Sequence, residues 1–193
     1  MGASAAKTGS NHKAPRMLER YRTDIIPALV KQFGRKNLMA VARLEKIVLN
    51  IGCGEAAHDA KILEAAQKDL GLIAGQRPLV TRAKKAISNF KIREGDPVGC
   101  KVTLRRSRMY EFLDRLVSVA LPRIRDFRGL NSRGFDQAGN YSFGIREHTI
   151  FPEIQPDQSP YPLGLDVVVV MNAATREEAL VLLRGFGFPF ATK

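Results

Sequence analysis

The sequence predicts an α+β domain: a mostly antiparallel sheet with helices packed on one face and the other face left open. Two segments, Arg43–Ile51 and Gly99–Arg105, alternate apolar and polar residues, the two-residue period of a strand with one dry side. Buried parallel strands would instead be apolar on both faces. The third observation is charge. The chain carries 31 Lys and Arg against 19 Asp and Glu, a formal +12, and the excess is concentrated rather than spread.

The elements follow in order. Met1–Pro15 is small, polar and weakly basic, without an apolar signal core, and reads as a disordered basic tail ahead of a single domain over 16–193. Met17, Leu18, Tyr21, Ile25, Leu29 and Phe33 share one side of a helix over Arg16–Phe33, which Pro27 should kink or split and Gly34 should stop. In the first strand Ile47, Leu49 and Ile51 point one way, and Leu44, Lys46, Val48 and Asn50 the other. A helix over His58–Ile73 buries Ile62, Leu63, Ala66, Leu70 and Ile73, and Gly75 closes it. Pro78–Arg82 makes a short strand, followed by a long basic connection to Val98 without evident structure of its own. In the next strand Cys100, Val102 and Leu104 face the core, and Lys101, Thr103 and Arg105 face outward. Ser107 can cap a helix to Leu121 with Met109, Phe112, Leu113, Leu116 and Val117 inward. After an irregular Arg-, Gly- and Asn-rich stretch come strands at Tyr141–Ile145 and Leu163–Met171, the latter with four consecutive valines that should be well covered. Thr175-x-x-Glu178 is a capping box that opens a last helix to Arg184.

Between Arg77 and Arg108, ten basic side chains stand against only Glu94 and Asp96. That density exceeds what solubility asks for and points to a polyanion, with nucleic acid ahead of anionic lipid because no amphipathic helix carries the charge. No apolar run approaches the roughly 20 residues needed to span a bilayer. Cys53 and Cys100 lie in apolar runs without CxxC spacing; they read as small hydrophobes of a reducing cytosol, not as a disulfide framework.

One motif competes. Gly52-Cys-Gly54-Glu-Ala-Ala57 follows a strand and precedes a helix, like the glycine turn of dinucleotide-binding proteins or of methyltransferases that bind S-adenosylmethionine. A dinucleotide site wants an acid at the end of the next strand. Here that strand ends Val80-Thr-Arg82 and runs into basic sequence. The simpler role for Gly52 and Gly54 is a tight exit from the strand. His12 lies in the tail, and His58 and His148 are isolated and read as surface or cap residues. A Cys53–His58–Cys100 zinc site would lack a fourth ligand. No catalytic residues, cofactor or metal are expected: the chain is read as no enzyme.

The blocks Arg43-Leu-Glu-Lys-Ile-Val-Leu-Asn-Ile-Gly-Cys-Gly-Glu-Ala56, Gly75-Gln-Arg-Pro-Leu-Val-Thr-Arg-Ala-Lys-Lys85 and Phe90-Lys-Ile-Arg-Glu-Gly-Asp-Pro-Val-Gly-Cys-Lys-Val-Thr-Leu-Arg105 resemble the bacterial large-subunit ribosomal protein family "L-five". Pro122-Arg-Ile-Arg-Asp-Phe-Arg-Gly-Leu130, Gly139-Asn-Tyr-Ser142, Ile150-Phe-Pro-Glu-Ile154 and Phe188-Pro-Phe190 continue the likeness in order. The resemblance implies a cytoplasmic structural constituent of the large ribosomal subunit that helps attach 5S rRNA in the central protuberance, beside neighbouring large-subunit rRNA and 5S-associated proteins. RNA-facing positions of that family match Lys46, Asn50, Gln76, Phe90 and Thr103, and Lys101 and Arg105 join them on the outward face. Lys46 can neutralise a phosphate, Asn50, Gln76 and Thr103 can bond sugars or base edges, and Phe90 can stack on an unstacked base. For Phe90 core packing is the competing role, and for Lys46, Asn50, Lys101, Thr103 and Arg105 a merely solvated outer face is. The connection Arg82–Pro97, with Arg82, Lys84, Lys85, Lys91 and Arg93, is similar to a loop that meets P-site tRNA. The segment Arg125–Tyr141 resembles the region that bridges to a small-subunit head protein. A free-standing RNA-binding regulator or chaperone would share the basic sheet but act outside the ribosome.

Overall fold

A computed structural model describes residues 14–35, 37–54, 60–155 and 161–191. Most of the expected tail, His12, His58 and the Glu55–Ala57 end of the glycine motif lie outside the described residues.

Five strands form one antiparallel sheet: β1 (Arg43–Gly52), β2 (Leu79–Arg82), β3 (Pro97–Leu104), β4 (Tyr141–Ile145) and β5 (Leu165–Asn172), in the order β2-β3-β1-β5-β4. β1 is central because it is the longest alternating segment, and its register with β3 puts Ile47 opposite Leu104 and Ile51 opposite Cys100. Those side chains, with Leu49, Val167 and Val169, are fully buried; burying each large aliphatic contributes about 1.5–3 kcal/mol. β5 pairs on both edges, yet only one of its faces is covered: Val167 and Val169 are buried, while Val168 and Val170 are only half-buried. The four valines are therefore not a fully enclosed strand.

One face assignment is corrected. Leu44, expected outward with Lys46, is buried. The pairing with β5 shifts between Leu44 and Lys46, so Glu45 is an extra residue and the strand's parity flips at this bulge. Gly52 is corrected too. It is the last residue of β1, has no positive φ, and a Cβ built on it meets nothing within 4 Å. The backbone that does require glycine is opposite: a Cβ on Gly99 would stand 2.5 Å from the Ile51 carbonyl oxygen.

The helices cover the apolar face. α1 (Arg16–Arg20) gives way to a π turn at Tyr21–Ile25 before α2 (Ile26–Phe33). A proline has no N–H to give the carbonyl four residues back and its ring crowds it, so the helix widens one turn ahead of Pro27. The same happens after α4 (Arg106–Arg115): a π turn at Leu116–Ala120 precedes Pro122. Gly34 ends α2 in the left-handed conformation, as expected. Ser107 is not the cap of α4; Arg105 holds that position without a side-chain cap bond, and Arg106 has φ +52°. α3 (Ala60–Ala74) buries Ile62, Ala66, Leu70 and Ile73 as predicted, and also Asp69, while Leu63 is only half-buried. In α5 (Arg176–Gly185) Thr175 accepts from the Glu178 N–H, and Glu178 reaches back to the Ala174 N–H, one residue before the cap. Tyr141, Phe135, Phe188 and Phe190 pack ring on ring, pinning the irregular segment after α4 to the C-terminal end.

His148 is a correction of a different kind. It is fully buried, with Nε2 3.0 Å from Asp69 Oδ2 and Nδ1 3.0 Å from the Leu163 carbonyl oxygen. The burial comes from α3, which carries the carboxylate into the core to meet it.

Candidate nucleic-acid interface

The pairing brings two rows of side chains onto the uncovered face. One runs Lys101, Asn50, Asp166, Gly144, with Leu79 of β2 outside Lys101. The next runs Thr103, Val48, Val168, Ser142. Lys46 stands opposite Val170, one step before the Ile47–Leu104 pair, and Arg105 follows β3 at the same end. Lys101 and Arg105 are exposed, while Lys46, Asn50 and Thr103 are half-buried. The face is therefore a polar and cationic flank on β3 and β1 beside a half-buried valine patch on β1 and β5. Lys46, Asn50, Lys101, Thr103 and Arg105 are neighbours there, as alternation predicts. Exposed Lys and Arg favour phosphates, and the amide and hydroxyl offer hydrogen bonds to sugars and bases.

Gln76 and Phe90 sit differently. Gln76 stands three residues before Leu79, toward the Leu104 end, where Arg108 Nη1 donates to its Oε1 at 3.4 Å. Phe90 lies beyond the other end of the β2–β3 ribbon, past Arg82 and Pro97, in a turn at Ser88–Phe90. From Thr103 to Pro97 alone is about 20 Å of strand. Phe90 is 68% exposed, which rules out core packing and leaves its ring available for stacking.

The long connection is ordered, contrary to expectation. Ala83 and Asp96 continue the ribbon, Ile87 pairs with Ile92, and Lys91 closes the tip at φ +52°. The Arg82 guanidinium donates to the Gly95 carbonyl at 2.8 Å and the Asp96 carboxylate accepts from the Arg93 N–H. Arg82 thus braces the loop, while Lys84, Lys85, Lys91 and Arg93 project exposed charge from it. Ile87 is 47% exposed beside Phe90, so the tip presents apolar surface inside a cationic rim.

At the far edge of the sheet, Arg123, Arg125, Arg128, Arg133 and Arg146 line an open cleft of about 1030 Å³ whose floor includes Tyr141 and Phe143. Cys53 and Cys100 are buried and free, and burial pushes the Cys100 thiol up to about 12, which leaves it inert as a nucleophile. Sequence reasoning missed two residues of the candidate interface. Leu79 is 63% exposed in the central row, and Asp166 faces Asn50. Neither is signalled by local pattern, because each is placed by strand order, whereas Arg108, which touches Gln76, belongs to the basic cluster that the sequence shows.

Comparison with known proteins bears on what this face belongs to. Residues 37–93 match the family model "Ribosomal protein L5", and residues 97–190 match the model of the same ribosomal family's C-terminus. The "Large ribosomal subunit protein uL5" of Clostridium tetani is 56% identical over 177 residues, covering 92% of this chain and 98% of that protein. Those of Clostridium beijerinckii and Caldanaerobacter subterraneus are each 56% identical over 176 residues, covering 91% of this chain and 98% of theirs. With matches that take in both faces of the sheet, the ribbon and the C-terminal aromatics, the chain belongs to the ribosomal protein L5 family.

Proposed function

We propose that this chain, as a structural and non-enzymatic constituent of the large ribosomal subunit, binds 5S rRNA and helps hold it in the central protuberance. The observation that carries this is the uncovered row of Lys101 and Asn50 beside Thr103, Lys46 and Arg105. An antiparallel sheet can leave one face to solvent; what supports RNA binding here is the positive excess on that face, with amide and hydroxyl groups between cations. Such groups match single-stranded or bulged RNA, whose sugars and base edges are accessible. Gln76 and Phe90 extend the contact along the ribbon, Phe90 by stacking. The braced loop with Lys84, Lys85, Lys91 and Arg93 serves a second RNA, the tRNA in the P site; its length beyond the 2–5 residues of an ordinary hairpin supports that division. The arginine-lined cleft and the Arg125–Tyr141 segment around it serve the bridge to a protein of the small-subunit head.

The test is direct. The purified protein should bind 5S rRNA in preference to unrelated RNAs of similar length, with affinity falling as salt rises. Contact with about five phosphates gives a log–log slope of roughly −4. Binding that ignored salt, or made no distinction between RNAs, would refute the reading.

A further inference from the structure

Asp166 is out of place on a surface that collects phosphates. It stands exposed in the middle of the open face, opposite Asn50 on one side and Gly144 on the other. Its Oδ2 accepts from Asn50 Nδ2 at 3.2 Å. That bond fixes the Asn50 amide: Nδ2 is turned toward β5, and Oδ1 is left as the acceptor that the side chain can offer a ligand. The second Asp166 oxygen, Oδ1, lies over Gly144, where even a Cβ would stand 3.6 Å away. Glycine leaves that oxygen uncovered. The centre of a cationic face thus presents two acceptors side by side, with Lys101 on the next strand.

We infer that Asp166 and Asn50 together form an acceptor site for N–H or O–H donor groups of the bound RNA, with Asp166 a specificity-determining residue. A phosphate carries acceptors and negative charge only, and this pair repels it. The donors RNA can present are base amino and imino groups and the ribose 2′-hydroxyl, and a carboxylate takes them in charge-assisted bonds. Lys101 holds the phosphate and the carboxylate reads what hangs from it, dividing the row into positioning and specifying halves. The inference rests on the RNA-binding reading above.

The test uses the full-length protein with Asp166→Asn, a nearly isosteric change on an exposed residue. Simple electrostatics predicts that removing a negative charge tightens binding to every RNA. The acceptor site predicts the opposite for 5S rRNA, a loss of about tenfold or more, with unrelated RNAs bound as well as before or better. Analogue interference then identifies the donor. In the wild type, either 2′-deoxy or inosine substitution at particular 5S positions weakens binding, and at the position Asp166 reads the penalty vanishes in the variant. Loss at a 2′-deoxy position assigns the ribose, and loss at an inosine position assigns a guanine amino group. Unchanged or tighter 5S binding by the variant, or an interference pattern identical to wild type, overturns the inference while leaving 5S binding itself intact. A wild type that fails to prefer 5S rRNA overturns both.

Discussion

His148 and Asp69 show what one residue can conceal. They are separated by 79 positions and joined in the core at 3.0 Å, so neither sequence neighbourhood advertises the pair. A lone histidine in a polar stretch reads as surface, because burial is a property of what packs on it. Breaking such a pair costs more than making it contributes, since the remaining partner keeps its desolvation penalty. His148→Phe should therefore destabilise the fold by about 3 kcal/mol, measured by urea denaturation. The double change His148→Phe with Asp69→Leu should cost clearly less than the two single changes added together. Additive effects would mean that the two side chains do not act as a pair. Asp166 is the same lesson on the surface: its meaning lies in Asn50, 116 residues away.

Elements are more legible than residues. The alternation of β1 from Lys46 on, that of β3, most of the amphipathic stripe of α3 and the Thr175 cap follow from spacing, and each is where the pattern puts it. The departures have local causes that spacing does not carry. The bulge at Glu45 exists only in the pairing with β5, so β1 read alone sends Leu44 to the wrong side. The two π turns are the answer of a helix to Pro27 and Pro122; the sequence marks the prolines but not the turn that absorbs them. Spacing also points to the wrong glycine of a cross-strand pair, since Gly52 faces open space and Gly99 lies against the Ile51 carbonyl. Gly99→Ala should thus cost about 1–3 kcal/mol by forcing β1 and β3 apart. Gly52→Ala should leave the thermal midpoint close to that of the wild type. A reversed ranking in thermal melts would place the close approach on the other strand.

For the whole molecule, the open face with Phe90 and the exposed lysines of the loop are proposed to serve different RNAs, and they should fail separately. Neutralising Lys84 and Lys85 to Gln, with Phe90 untouched, is expected to leave incorporation of 5S rRNA near normal while tRNA in the P site dissociates faster or crosslinks less. The effect should be modest, because exposed charges contribute little singly. Failure of the double variant to incorporate 5S rRNA would merge the two surfaces into one. The strand order carries a consequence for synthesis as well. β1 and β3 emerge early and can pair at once, but the strand that flanks β1 on its other edge is β5, made near the end of the chain. Until then a nascent chain bears β1 with one edge unpaired, the condition that invites strand addition between chains. Arg43, Glu45 and Lys46 stand at the start of that edge, and charges there discourage a stranger from pairing. The charges at the start of β1 thus serve first as guards of an unfinished sheet, whatever role is proposed for Lys46 later, and Asp166 joins Asn50 only when β5 closes that edge.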